Sequence, residues 1–170
     1  MKSIYLIGFM GSGKTTVANG LSQAFTKEVL DTDEIIVQKY HQSIPEIFQQ
    51  KVESTFREYE SSVLFQTPTE DTIIATGGGI IEKDSNRKWL KENGITVFLK
   101  TSWEEINQRL INDTDRPIWN NQSRNKRILL EERIPKYEEV ADIIVHTDGK
   151  SIGDIVKEIQ DKLLEMNKSI

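Results

Sequence analysis

Short apolar runs alternate along this chain with segments whose apolar residues recur every three or four positions. The runs are Ile4–Ile7, Val29–Leu30, Ile73–Ala75, Ile95–Leu99 and Ile143–Val145. They are continuous rather than alternating, the pattern of strands covered on both faces. Helical spacing fills the intervals. Val17, Leu21 and Phe25 lie four apart, and Ser43 to Gln66 reads as one long helix with Ile44, Phe48, Val52 and Phe56 stacked at i+4. Near the end, Ile152, Ile155, Val156, Ile159 and Leu163 form one apolar stripe. Ser43-x-x-Glu46, Ser102-x-x-Glu105 and Ser151-x-x-Asp154 resemble capping boxes at helix starts. Alternation of this kind predicts an α/β fold, a five-stranded parallel sheet flanked by helices and joined by right-handed crossovers. In such sheets ligands bind at the carboxyl ends of the strands. No repeat, linker or second domain interrupts the pattern. One segment departs from it: residues 112–127, NDTDRPIWNNQSRNKR, are polar and low in core-forming side chains. A loop of that length is read either as a closing lid or as a plain surface loop.

The first strand runs directly into Gly8-Phe9-Met10-Gly11-Ser12-Gly13-Lys14-Thr15, which fits the phosphate-loop pattern G-x-x-x-x-G-K-[ST], and a helix follows. Glycines let the backbone wrap a phosphate so that consecutive N–H groups and the helix N-terminus point at it. Gly11, Ser12, Gly13, Lys14, Thr15 and Thr16 are therefore the expected nucleotide-binding residues. Lys14 supplies positive charge to the β and γ phosphates, and the Thr15 hydroxyl can ligate Mg²⁺. A nucleoside triphosphate is the ligand this pattern predicts.

Composition narrows the setting. The 170 residues are 36% hydrophobic and 29% charged with both signs interspersed, enough for one domain with a core. A net charge of −5 argues against non-specific nucleic-acid binding, which needs excess Lys and Arg. An anionic substrate must then be held by individually placed arginines. Without cysteine, disulfides, thiolate nucleophiles and cysteine metal sites are excluded. Residues 1–9 are too short an apolar run for a signal peptide, and no stretch approaches the ~20 apolar residues of a membrane helix. The expectation is a cytoplasmic enzyme with small-molecule partners and no membrane partner.

Other motifs fall at the same sheet edge. Asp31-Thr32-Asp33 follows the second strand at once. Asp31 can reach Mg²⁺, through water, while Asp33 either accepts the proton of an attacking hydroxyl or caps the next helix. Arg57 has Glu53 four residues before it and Glu60 three after. That is either a surface ion pair worth under ~1 kcal/mol or a guanidinium held by Glu60 for a carboxylate substrate. Thr76-Gly77-Gly78-Gly79 follows the third strand, and three glycines allow close approach of backbone to a ligand. Arg109 precedes the polar segment, and Arg116-Pro117 lies inside it. Arg133 and Tyr137 are four apart, around a Pro135 that would kink a helix. His41 and His146 stand in no constellation, and Trp89 and Trp103 read as packing residues.

Together these motifs resemble the shikimate kinase family along most of the chain. The resemblance is carried by GFMGSGKTT (Gly8–Thr16), DTD (Asp31–Asp33), SIPEIF (Ser43–Phe48) and FREYE (Phe56–Glu60). It continues in ATGGG (Ala75–Gly79), NR (Asn86–Arg87), RP (Arg116–Pro117) and EERIPKYEEVAD (Glu131–Asp142). It implies a single-domain phosphate-loop (P-loop) kinase fold, with an acceptor-binding helical region at about 33–62 and a mobile lid at about 112–124. The implied reaction is Mg-ATP-dependent phosphorylation of the 3-hydroxyl of shikimate, in aromatic amino-acid biosynthesis. By the same resemblance Asp33 contacts the shikimate hydroxyls and acts as base, and Arg57 and Arg133 clamp the carboxylate with backbone at Gly78 and Gly79. Glu60 orients Arg57, and Phe48 and Phe56 line the ring pocket, although spacing alone makes them core. Thr15 and Asp31 serve Mg²⁺, Arg116 closes over the phosphates, and Arg109 stacks near adenine. A monomer is implied.

This chain departs from the family pattern at Val52, where a glycine is usual, at His41-Gln42, and at Val37, where an acidic residue is common. Trp119 stands for a small aliphatic and Lys136 for Leu. Two rival readings stay open: another small-molecule kinase of similar fold, such as one acting on gluconate, and a nucleotide-binding regulatory module without transfer activity.

Overall fold

The computed structural model describes residues 1–111 and 125–169. The predicted lid at 112–124, with Arg116, Pro117 and Trp119, lies outside the described residues. Five strands form one sheet: β1 (Ile4–Ile7), β2 (Glu28–Asp31), β3 (Thr72–Ala75), β4 (Ile95–Lys100) and β5 (Ile143–His146). Each predicted run lies within one of them. Their order is β2-β3-β1-β4-β5 and every neighbouring pair is parallel. Between them run α1 (Lys14–Phe25), α2 (Thr32–Tyr40), α3 (Ile44–Gln50), α4 (Glu53–Leu64), α5 (Asp84–Asn93), α6 (Trp103–Leu110), α7 (Lys126–Val140) and α8 (Ile152–Lys168).

The continuous apolar runs have the cause expected of them. Along β1, Tyr5 and Ile7 face a core shared with Leu90, Leu129 and Tyr137, from α5 and α7. Ile4 and Leu6 face the opposite core with Val17, Leu21, Ile155 and Ile159, from α1 and α8. Both layers are dry, so neither face of the strand can be polar. A third cluster of Ile36, Ile47, Phe56 and Val63 holds the helical region together, with Phe48 packed against it.

Two helical expectations are corrected. Ser43 to Gln66 is two helices, broken at Lys51 and Val52, whose φ/ψ of −127/158 and −74/156 are extended. Each i+4 step overshoots a helical turn by about 40°, so a single helix would carry Phe56 roughly 120° off the face of Ile44. The break at a β-branched residue re-aims the second segment, and Val52 leaves the stripe, 67% exposed. In α8 the buried stripe begins at Ile155, and Ile152 in the first turn is 38% exposed. The capping boxes at Ser43 and Ser151 are complete, and Ser102 caps through the Glu105 N–H. α7 runs through Pro135 as one helix.

Register decides where the site lies. Asp31 stands opposite Ala75, and Ala75 opposite Leu6. The carboxyl ends of β2, β3 and β1 are therefore level, and Asp31-Thr32-Asp33, Thr76–Gly79 and the phosphate loop leave the sheet side by side.

Candidate active site

The phosphate loop is built from glycine where no other residue serves. Gly13 caps α1 with φ +90° and Gly11 has φ +82°, both in the left-handed region. Lys14 is buried, and its Nζ donates to the carbonyls of Gly8 and Phe9 at 2.8 and 3.0 Å. The Thr15 hydroxyl donates to Asp31 Oδ2 at 3.1 Å. Around the loop opens a cavity of about 710 Å³ lined by Gly11–Thr16, Asp31, Asp33, Thr76 and Arg109. Every predicted nucleotide residue among the described ones borders this one space. Arg109 lies on its rim, donating to the Gly11 carbonyl at 2.9 Å and paired with Glu105. Thr147 and Lys150 border it as well and escaped the sequence reading. Their signal was position: they follow β5 at the carboxyl edge, in a turn where Gly149 takes φ +71°.

The two aspartates divide their work. Asp31 Oδ1 accepts the N–H groups of Asp33 and Glu34, at 2.9 and 3.4 Å, so Asp31 is the cap of α2. The capping reading of Asp33 is thereby corrected. The chain turns into helix two residues earlier than that reading expects, at Thr32 rather than Glu34. Asp33 sits in the first turn, where its side chain lies against Gly77.

The three glycines after β3 have a steric reason that the sequence did not reveal. None adopts positive φ. A methyl on Gly77 would stand 2.8 Å from Asp33 Oδ1 and 2.9 Å from Glu60 Oε2. On Gly78 it would meet the Met10 N at 3.2 Å and Arg133 Nη1 at 3.6 Å. On Gly79 it would overlap the Arg57 guanidinium, at 2.2 Å from Nη1. The strip is thus a seat on which one carboxylate pair and two guanidinium groups converge from three different helices.

Arg57 is no surface ion pair. Its side chain is 10% exposed, and it bonds Glu60 Oε1 at 2.8 Å and Glu53 Oε1 at 3.2 Å. It also lies over the Phe56 ring, 5.3 Å from the centroid. Burial opposes its charge, but Glu60 and Glu53 outweigh that and raise its pKa further. Glu60 is fully buried, and burial raises its carboxyl above the ordinary value, with the Arg57 charge offsetting only part. Stability from such a group is greatest at low pH and lost as pH rises through the raised value. Ionised Glu60 is therefore a cost to the fold, borne where it fixes Arg57. Phe48 and Phe56 pack on each other at 4.8 Å within the helical cluster, as spacing suggested.

Arg133 is wholly buried on α7, with its guanidinium 5.7 Å over the Phe9 ring. Its Nε, Nη1 and Nη2 have no hydrogen-bond partner among the described residues. Tyr137, one turn on, donates to the Gly78 carbonyl at 2.5 Å, and burial drives its phenol pKa far up. Glu82, unremarked in the sequence, lies 3.8 Å from Arg133 Nε. Among the described residues no helix is long and apolar enough to cross a membrane, and no cluster of three His, Cys, Asp or Glu could hold a metal.

Comparison with known proteins bears on the fold and the family. Residues 10–164 match the family model described as shikimate kinase. The shikimate kinase of Bacillus cereus strain AH187 is 43% identical over 165 residues, spanning 97% of this chain and 100% of that one. The shikimate kinase of Acinetobacter baumannii, solved in complex with shikimate, superposes with a TM-score of 0.92 at 37% identity, covering 97% and 94% of the two chains. A gluconokinase from Sinorhizobium meliloti reaches a TM-score of 0.58 at 17% identity over 99% and 94%, a likeness of fold alone. The chain belongs to the shikimate kinase family.

Proposed function

We propose that this chain catalyses the family reaction with the residues gathered here, moving the γ-phosphoryl of ATP to the 3-hydroxyl of shikimate. The observation that carries the reading is the glycine strip, where Arg57, Arg133, Asp33 and Glu60 meet beside the phosphate loop. Two buried guanidinium groups over adjacent glycines suit one carboxylate, which Arg recognises as a two-pronged fork. The hydroxyl oxygen attacks the γ-phosphorus and its proton passes to Asp33. The bond to the β–γ bridging oxygen breaks and its electron pair leaves with ADP. Transfer of this kind runs through a loose transition state, so catalysis is mainly positioning and charge stabilisation. Lys14 and Arg116 supply the positive charge around the phosphates, Arg116 from the segment outside the described residues, while Arg109 on the rim stacks near adenine.

The Thr15 hydroxyl and Asp31 carboxylate, 3.1 Å apart, form a hard-oxygen pair that fits Mg²⁺. One carboxylate with substrate phosphates completing the shell is the usual way this ion is held. When bound, it neutralises charge on the β and γ phosphates. The enzyme acts as a cytoplasmic monomer on small molecules, with no nucleic-acid or membrane partner.

ADP release in a coupled assay with Mg-ATP, alone or with shikimate, quinate or gluconate, tests the reading. Release strictly dependent on shikimate is expected. Release with gluconate alone would overturn the acceptor assignment, and ATP binding without release would make the chain a regulatory module.

A further inference from the structure

The two arginines of the strip differ in how their charge is met. Arg57 is neutralised at hydrogen-bond distance by Glu60, 2.8 Å away. Arg133 is more deeply buried, yet its guanidinium has no such partner among the described residues. A carboxylate stands within reach but does not close: Glu82 Oε1 is 3.8 Å from Nε. That same oxygen accepts a hydrogen bond from Lys136 Nζ at 3.2 Å. Lys136 follows Arg133 by three positions on α7, so the two cations flank Glu82 from one helix face. A buried guanidinium without a hydrogen bond is costly, and Glu82, once released by Lys136, would gain by moving about an ångström onto it.

We propose that Lys136 is a positioning residue that holds Glu82 off Arg133, and so sets the affinity of the site for a carboxylate substrate. The charges around the clamp show why this matters. Arg57 is met by Glu60 and Glu53, and Glu82 closing on Arg133 would occupy the second guanidinium as well. By holding Glu82, Lys136 leaves the Arg133 donors open to an incoming anion. The inference rests on the reading of Arg133 as a carboxylate clamp.

The test measures kcat, KM for shikimate and KM for ATP in Lys136→Met, Lys136→Arg, Glu82→Gln with Lys136→Met together, and Arg133→Lys. Lys136→Met is expected to raise KM for shikimate on the order of tenfold, about 1.4 kcal/mol, while kcat and KM for ATP stay within about twofold. Lys136→Arg restores the wild-type KM because the charge is kept. The double variant restores it too, because the carboxylate charge has gone. An unchanged KM in Lys136→Met, or a defect persisting in the double variant, overturns the proposal. A normal KM in Arg133→Lys overturns the clamp reading itself. A defect there with none in Lys136→Met sinks only the role of Lys136.

Discussion

Gly79→Ala isolates one physical effect. The backbone at Gly79 lies outside the left-handed region, so alanine is conformationally permitted. Such a change ordinarily stabilises by ~0.4–1 kcal/mol through the unfolded state. Here the added methyl would stand 2.2 Å from Arg57 Nη1 and 2.5 Å from Cζ and Nη2. Ordinary contact begins near 3.5 Å, so the guanidinium must retreat by roughly an ångström. That stretches the 2.8 Å bond to Glu60 past hydrogen-bonding range. A hydrogen bond between charged groups is worth about 1.5–3 kcal/mol, and stranding a buried carboxylate costs more. Arg57 keeps Glu53 as a second partner, which moderates the loss. About 2 kcal/mol is a reasonable net figure, equivalent to roughly 25-fold in an equilibrium constant. Gly79→Ala should then lower kcat/KM for shikimate about 25-fold and Tm by roughly 4–8 °C, with KM for ATP within about twofold. The decisive control is Arg57→Lys, which removes the planar head that the methyl strikes. Adding Gly79→Ala to it should cost little further. Additive losses in the double variant would refute the collision as the cause.

Three more outcomes follow from other parts of the site. Asp33→Asn should lower kcat by more than about 10³-fold while ATP binding, followed by titration calorimetry, persists; lost ATP binding would make Asp33 structural. Arg116→Ala should reduce kcat by roughly 10³-fold with little change in nucleotide affinity, as arginines that meet transferring phosphates do. A variant with near-normal kcat removes Arg116 from the mechanism. At the far end of the sheet, Asp71 takes φ +54° and accepts from Lys27 and the N-terminal ammonium, which hold its carboxyl below the ordinary carboxylate value. A lowered carboxylate pKa adds stability that is present above the unfolded value and lost as pH falls through the folded one. Asn tolerates that backbone equally, so the Tm advantage of wild type over Asp71→Asn should vanish in acid. A gap independent of pH would contradict the ion-pair account.

Much of the fold was legible because its signals are local. Five continuous runs announced five strands, the central β1, β3 and β4 buried and the edge strands β2 and β5 less so, and Ser43, Ser102 and Ser151 announced helix starts. What misled was a pattern satisfied by two geometries. Ile44, Phe48, Val52 and Phe56 keep i+4 spacing, but only tertiary packing could reveal that the chain bends at Val52 and begins a new helix. Charge partners were legible only within a helix: Glu60 three residues after Arg57 suggested itself, whereas Glu82 is remote in sequence from Arg133. Burial was equally hidden. The motif Glu-Glu-Arg-Ile-Pro-Lys-Tyr looks like a solvated face, yet Arg133 and Tyr137 are both 0% exposed.

The glycine strip explains how a site so dense in charge can assemble at all. Two arginines and two carboxylates have to approach one another without side chains between them, and a strand end offers backbone as the only floor. Conformation cannot be the reason for these glycines, since none of Gly77, Gly78 and Gly79 has positive φ. Each instead yields the volume of one methyl to a particular neighbour: Asp33 with Glu60, Met10 backbone beside Arg133, and Arg57. It follows that the strip separates functions by position. Alanine at Gly77 should act on the reacting carboxylate and hence on kcat, and at Gly79 on the carboxylate clamp and hence on KM for shikimate. At Gly78, where the contacts are 3.2 Å or longer, the effect should be the mildest of the three.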